Sequence, residues 1–78
     1  MTKYVYRYTS VKKKVGDLID GSEVLYTNSD LITGDRLQDT YKVIDIMKIY
    51  DLVTYSNIYK MMLTKISEDE LLCEKVFA

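Results

Sequence analysis

The stretch that decides the fold runs from Thr40 to Ile66: TYKVIDIMKIY (40–50), DLVT (51–54) and YSNIYKMMLTKI (55–66). The first arm is dense in Val, Ile and Tyr, whose branched or aromatic side chains suit a pleated strand. Two-residue alternation sets Tyr41, Val43, Met47 and Ile49 on one face and Ile44, Ile46 and Tyr50 on the other. Both faces are largely apolar, which predicts a central strand covered on both sides, or one that bends across a barrel. Asp45 interrupts the first face and requires a partner or solvent. In the second arm Tyr59, Met61 and Leu63 alternate with Lys60, Met62 and Thr64. The short connection Asp51–Thr54 predicts that the two arms pair antiparallel.

Outward from this hairpin, residues 3–9 (KYVYRYT) alternate strictly, with Tyr4, Tyr6 and Tyr8 on one face and Lys3, Val5, Arg7 and Thr9 on the other. They predict a strand. Residues 10–21 (SVKKKVGDLIDG) admit two readings. Ser10 can cap a helix whose apolar face is Val11, Val15, Leu18 and Ile19, ended by Gly21. Alternatively Asp20-Gly21 is a two-residue hairpin turn joining a strand over Lys14–Ile19 to one over Ser22–Thr27. Gly16 would cost a helix about 1 kcal/mol, so the hairpin is preferred. Residues 23–27 (EVLYT) predict a short strand. Asn28-Ser29-Asp30 is a turn cluster, Leu31–Thr33 a brief strand, and Gly34-Asp35 a second turn. The tail, residues 67–77, carries a capping box at Ser67 and Glu70 that favours a helix, whereas a meander would continue with a strand there.

These segments predict a mainly β fold, a small antiparallel sheet or barrel of about five strands with room for one short helix; an α+β arrangement is the alternative. Seventy-eight residues form a single small domain, 1–78, with one core. Such a chain hides roughly 60% of the surface that its unfolded form exposes, so modest stability is expected. Hydrophobic residues at 47% and charged residues at 29% fit a folded soluble chain. No apolar run approaches the roughly 20 residues that cross a bilayer. The first residues lack the apolar core of a secretion signal, so the expected location is cytoplasmic, without a membrane partner.

The chain has no His and one Cys, Cys73. That removes the commonest general acid-base and leaves no standard zinc site. Cys73 has acids and leucines beside it and no cation, which suits a buried structural thiol. Gly16, Gly21 and Gly34 are too scattered for a phosphate-cradling loop, and 30–35 does not match a calcium loop. The twelve acids offer carboxylate pairs, but no motif marks one as catalytic. No catalysis and no cofactor are therefore expected.

Charge is segregated along the chain. Residues 1–14 carry Lys3, Arg7, Lys12, Lys13 and Lys14 and no acid; residues 16–39 carry Asp17, Asp20, Glu23, Asp30, Asp35 and Asp39 against Arg36 alone. Two binding readings follow. In the first, the acidic stretch faces a basic groove of a protein partner, with Tyr55, Tyr59, Met61 and Met62 adding the amphipathic area that interfaces favour. In the second, Tyr4, Tyr6 and Tyr8 stack bases while Arg7, Lys12, Lys13 and Lys14 hold phosphates of a nucleic acid. Against these stand two plainer readings: cross-strand pairing of the charges, and a tyrosine row that covers the core. The near-neutral total, −1, makes a polyanion the weaker partner. A self-pairing, homo-oligomeric subunit is the third reading.

In composition, as a tiny chain without His or Trp and rich in Tyr, Asp and Lys, the protein resembles small accessory proteins encoded by phages and mobile elements. The resemblance implies a stoichiometric binder or inhibitor of a host or defence protein.

Overall fold

A computed structural model describes residues 4–67 and residue 69. The expectations for the tail over 67–77, and for Cys73, lie outside the described residues beyond Ser67. Among the described residues six strands form one antiparallel sheet: β1 Tyr4–Thr9, β2 Leu18–Ile19, β3 Val24–Tyr26, β4 Gly34–Arg36, β5 Tyr41–Asp51 and β6 Ser56–Lys65. Their order across the sheet is β2-β5-β6-β1-β3-β4. The sheet curls into a half-barrel, because Ile19 from one edge and Leu25 and Leu37 from the other side enter the same cluster as Val43, Met61 and Leu63. The mainly β reading holds, and no helix interrupts the sheet.

The β5–β6 hairpin forms as the sequence predicts, from Tyr41 opposite Lys65 to Asp51 opposite Ser56, and β1 adds to β6 from Tyr4 opposite Thr64 to Thr9 opposite Tyr59. One correction concerns which side chains share a face. The register shifts between Val43 and Asp45, a β-bulge that leaves Ile44 as the extra residue. An extra residue reverses the alternation beyond it. Val43 opposite Leu63 is therefore followed on the concave face by Ile46 opposite Met61, whereas Asp45 and Met47 turn to the convex face. Asp45 thus reaches solvent, and its carboxylate accepts the Ile46 N–H at 2.9 Å. Nor is β5 a central strand along its length, since β2 pairs it only at Tyr41 and Lys42.

The expected hairpin of 14–19 with 22–27 does not exist, and neither does the alternative helix over 10–21. β2 and β3 are separated by β5, β6 and β1. Asp20 does make the turn that its type favours: its carboxylate accepts the Ser22 N–H and hydroxyl. The chain leaving that turn crosses to the far side of the sheet instead of reversing on β2. There Arg36 Nη1 donates to the Gly21 carbonyl at 2.9 Å. A Cβ on Gly21 would lie 2.5 Å from the Leu37 carbonyl oxygen, so this crossing needs glycine. Leu31–Thr33 forms no strand; Leu31 takes a left-handed turn conformation, φ 56°, instead. Gly34-Asp35 is not a turn but part of β4, which pairs with β3.

The core is the concave face. Leu25, Val43, Met61 and Leu63 are fully buried there, with Ile19, Leu37 and Ile66 nearly so; Ile58, in phase with Lys60 and Met62 on the other face of β6, is buried as well. Thr9 is the one buried polar residue among those described, and its hydroxyl accepts the Val11 N–H. A Gly21→Ala variant is expected to lose roughly 1–3 kcal/mol by overpacking against backbone that cannot yield locally. Gly16→Ala meets no atom within 4 Å but must hold φ near 98°, so it too should lose stability, by about 1 kcal/mol. Urea titration of both variants measures the order.

Candidate interaction surfaces

Strand β1 aims its tyrosines away from the core. Val5 packs against the core cluster, so Val5, Arg7 and Thr9 point into the half-barrel and Tyr4, Tyr6 and Tyr8 point out. The reading in which the tyrosines cover the core is thereby corrected: Tyr4 and Tyr6 are about half exposed, at 48% and 46%. Register assembles the rest of this convex surface. Tyr6 lies opposite Met62, and Tyr8 lies between Lys60 and Tyr26. Met62 and Lys60 in turn lie opposite Asp45 and Met47 of β5. The Lys60 ammonium sits 5.4 Å from the centroid of the Tyr6 ring and 5.9 Å from that of Tyr8. Tyr6, Asp45, Ile46, Met47, Lys60 and Met62 outline a shallow depression of about 120 Å³. It is too small to enclose a metabolite, since ligand pockets run to about 300 Å³ or more.

The basic residues of the nucleic-acid reading are not on this surface as a group. Arg7 points to the other face and makes a two-pronged ion pair with Asp35, Nε to Oδ1 at 3.2 Å and Nη2 to Oδ2 at 3.1 Å. Lys13 is paired with Glu23 at 2.7 Å. Lys12 and Lys14 are exposed in the β1–β2 connection, away from the tyrosine row.

Each of the acids expected to face a partner makes a contact within the chain. Besides Asp35 and Glu23, Asp17 accepts the Lys14 N–H, Asp30 accepts the Ile32 N–H, and Asp39 pairs with Lys65 at 3.4 Å. Asp20 closes its turn as described. The plainer reading, in which folding interleaves the charges, describes these residues. Tyr59 lies opposite Thr9 and Lys48, half-buried on the concave side. Tyr55 stands at the hairpin tip, 76% exposed with φ 55°, next to the exposed Leu52 and Val53.

Two features escaped the sequence reading. Met47 is presented on the convex face because of the bulge, and it is 60% exposed. The second is the outer edge of β5 beyond Val43, which no strand among the described residues covers. The warning sign for both was Asp45, an acid that fits neither apolar face without a bulge. Among the described residues no group of three or more His, Cys, Asp or Glu is placed to hold a metal ion, and no helix is long and apolar enough to cross a membrane.

Because Tyr4 and Tyr6 are exposed and lie outside the core cluster, replacing them together by serine should cost little, about 0.2–1 kcal/mol per lost cross-strand pair. Leu63→Ala, on the concave face, should cost about 2–5 kcal/mol. Thermal melts of the two variants against the parent check this contrast. No family model, curated protein or solved structure matches this chain.

Proposed function

We propose that the protein is a non-catalytic binding module that takes a protein partner on the convex face of the half-barrel. The observation that supports this reading is the Tyr4–Tyr6–Tyr8 row, continued by Met62 and Met47 on the side of the sheet opposite the core cluster, with Tyr4, Tyr6 and Met47 exposed and Tyr8 and Met62 half-buried. Tyrosine and methionine offer large apolar area; tyrosine holds it in few rotamers and methionine adapts it to the partner. Contiguous exposed area of this kind marks interaction sites in monomeric folds. The hairpin tip, with Leu52, Val53 and Tyr55, adds a second contact at the far end of the same hairpin.

A protein suits this surface better than a nucleic acid. Lys60 already occupies a face of both Tyr6 and Tyr8, and Arg7 and Lys13 are neutralised by Asp35 and Glu23. What remains beside the tyrosines is too weakly basic to track a phosphate backbone. The compositional likeness to small accessory proteins of phages and mobile elements extends the proposal: the module works stoichiometrically, as an inhibitor that occupies a surface of a host or defence protein. Its expected place of action is the cytoplasm.

The test is affinity capture followed by quantitative binding to the captured protein. The parent should hold one partner at fixed stoichiometry. The double variant Tyr6→Asp, Met47→Asp should keep its melting temperature within a few degrees and lose roughly 30-fold or more in affinity, as central interface residues do. Salt-sensitive binding of a single-stranded oligonucleotide that depends on Tyr6 would replace this reading with the nucleic-acid one.

A further inference from the structure

The hairpin edge carries the reading one step further. At the covered end of β5, Val43 turns its backbone away from β6: its N–H donates to the Asp17 carbonyl at 2.9 Å, and its C=O accepts the Gly16 N–H at 2.8 Å. Beyond this point no strand among the described residues pairs with the outer side of β5, yet its pairing with β6 continues to Asp51. In an antiparallel ladder, residues that turn inward and outward alternate. On β6, Leu63, Met61, Tyr59 and Asn57 are two residues apart and face Val43, Ile46, Lys48 and Tyr50 in turn. The N–H and C=O groups of Ile46, Lys48 and Tyr50 therefore also point away from β6, toward open solvent. Asp45 caps the first of these N–H groups. Lys48 and Tyr50 remain as an open backbone template held straight by β6. The other edges are too short to serve: β2 has two residues and β4 three.

We propose that this edge, from Asp45 to Asp51, binds an extended strand of a protein partner by antiparallel strand addition, with an acidic residue of that strand set against Lys48. The proposal rests on the protein-binding reading above and specifies how part of the partner is held. Charge selects the occupant. A second copy paired in the register that overlaps Asp45–Asp51 fully would set Lys48 against Lys48 and Asp45 against Asp51. Like charges directly opposite are destabilising, so the register that covers the whole edge is disfavoured for a second copy. A foreign strand meets no such conflict when it carries an acid opposite Lys48 and apolar residues opposite Met47 and Ile49. Met47 joins the edge to the convex face, so one partner can engage both. Main-chain hydrogen bonds supply affinity and these side chains supply selectivity.

The probe is a short synthetic peptide with capped termini, alternating valine and threonine around one central glutamate, titrated into the full chain. Amide exchange followed by NMR should show new protection at Lys48 and Tyr50 and little change at the β6-facing amides of Met47 and Ile49. Changing the peptide glutamate to lysine should weaken binding roughly fivefold, and Lys48→Glu should reverse that preference. Lys48→Pro removes an outward N–H that makes no bond to β6, so it should keep the sheet and abolish peptide binding. Lys48→Glu carries the test if the proline variant does not fold. A peptide that fails to bind, protection located elsewhere, or a preference indifferent to residue 48 overturns the proposal. So does a dimer that protects Lys48 and Tyr50 without peptide, since a second copy is then the occupant. Retained partner loss in the Tyr6→Asp, Met47→Asp variant would show that the convex face binds even where the edge does not.

Discussion

Side chains on a strand alternate with a period of two, so a strand can change which residues it buries only by gaining or losing one residue in its register. β5 uses that device once, at Ile44. Without the bulge, the run that buries Val43 would carry Asp45 in toward Met61 and Leu63, an uncompensated carboxylate in the driest part of the molecule. With it, Ile46 takes the inward place and packs against the core, and Asp45 emerges on the convex side. The longest strand thus keeps apolar residues, Val43 and Ile46, on its inner face across the bulge from a sequence that is not in phase throughout. A bulge also sharpens local twist and bends the strand, which suits a sheet that must bring Ile19 and Leu37 into one cluster.

The curl places heavy demands on the connecting segments, and these consume most of the charge. Where the chain crosses from β2 to β3, the Arg36 guanidinium donates to the Gly21 carbonyl. Lys13 of the β1–β2 connection pairs with Glu23 at the entry to β3, and Arg7 reaches Asp35 on β4 across β3. These pairs join segments that no continuous ladder unites, since β1 and β3 share only the Tyr8–Tyr26 pairing. Each pair is partly exposed and contributes modestly to stability, but together they fix which segments lie over the opening. Tyr4, Tyr6 and Met47 meanwhile remain exposed on the convex face.

Long periodic segments were legible in the sequence. β1, β5 and β6 announce themselves by alternation over many residues, and their boundaries fall within one residue of the pattern. β2 and β4 could not be read, because two or three residues hold no period and their partners lie far along the chain. Asp20-Gly21 carries hairpin chemistry, and a turn does form there, but local turn preference cannot say whether the outgoing chain pairs with the incoming one. Gly34 reads as a turn residue, yet it serves a strand: a Cβ there would approach Val24 at 2.8 Å and Tyr26 at 3.3 Å. The tyrosine row was legible as a row, whereas the side it faces was not, since Val5 and Tyr6 are equally apt to be buried. The fate of the acids was hidden by distance, with 28 residues separating Arg7 from Asp35.

The bulge ties these threads to recognition. It turns Met47 outward to complete the tyrosine face, and it places Asp45 where its carboxylate covers the Ile46 N–H. The edge of β5 is therefore closed at its root and open toward its tip. Bulges and charged side chains are the usual means by which a sheet edge avoids indiscriminate pairing. Here they shorten the exposed edge without removing it, and in the proposed strand addition Lys48 would set a charge condition on what pairs with the remainder. An edge meant only to stay dissociated would gain from a proline or a further charge at Tyr50 or Ile49; this one keeps apolar residues there, beside an exposed Leu52 and Val53. Protection against self-pairing combined with retained apolar area is the pattern expected of a surface selective for a partner, because repulsion of the wrong occupant and attraction of the right one are then built from separate residues.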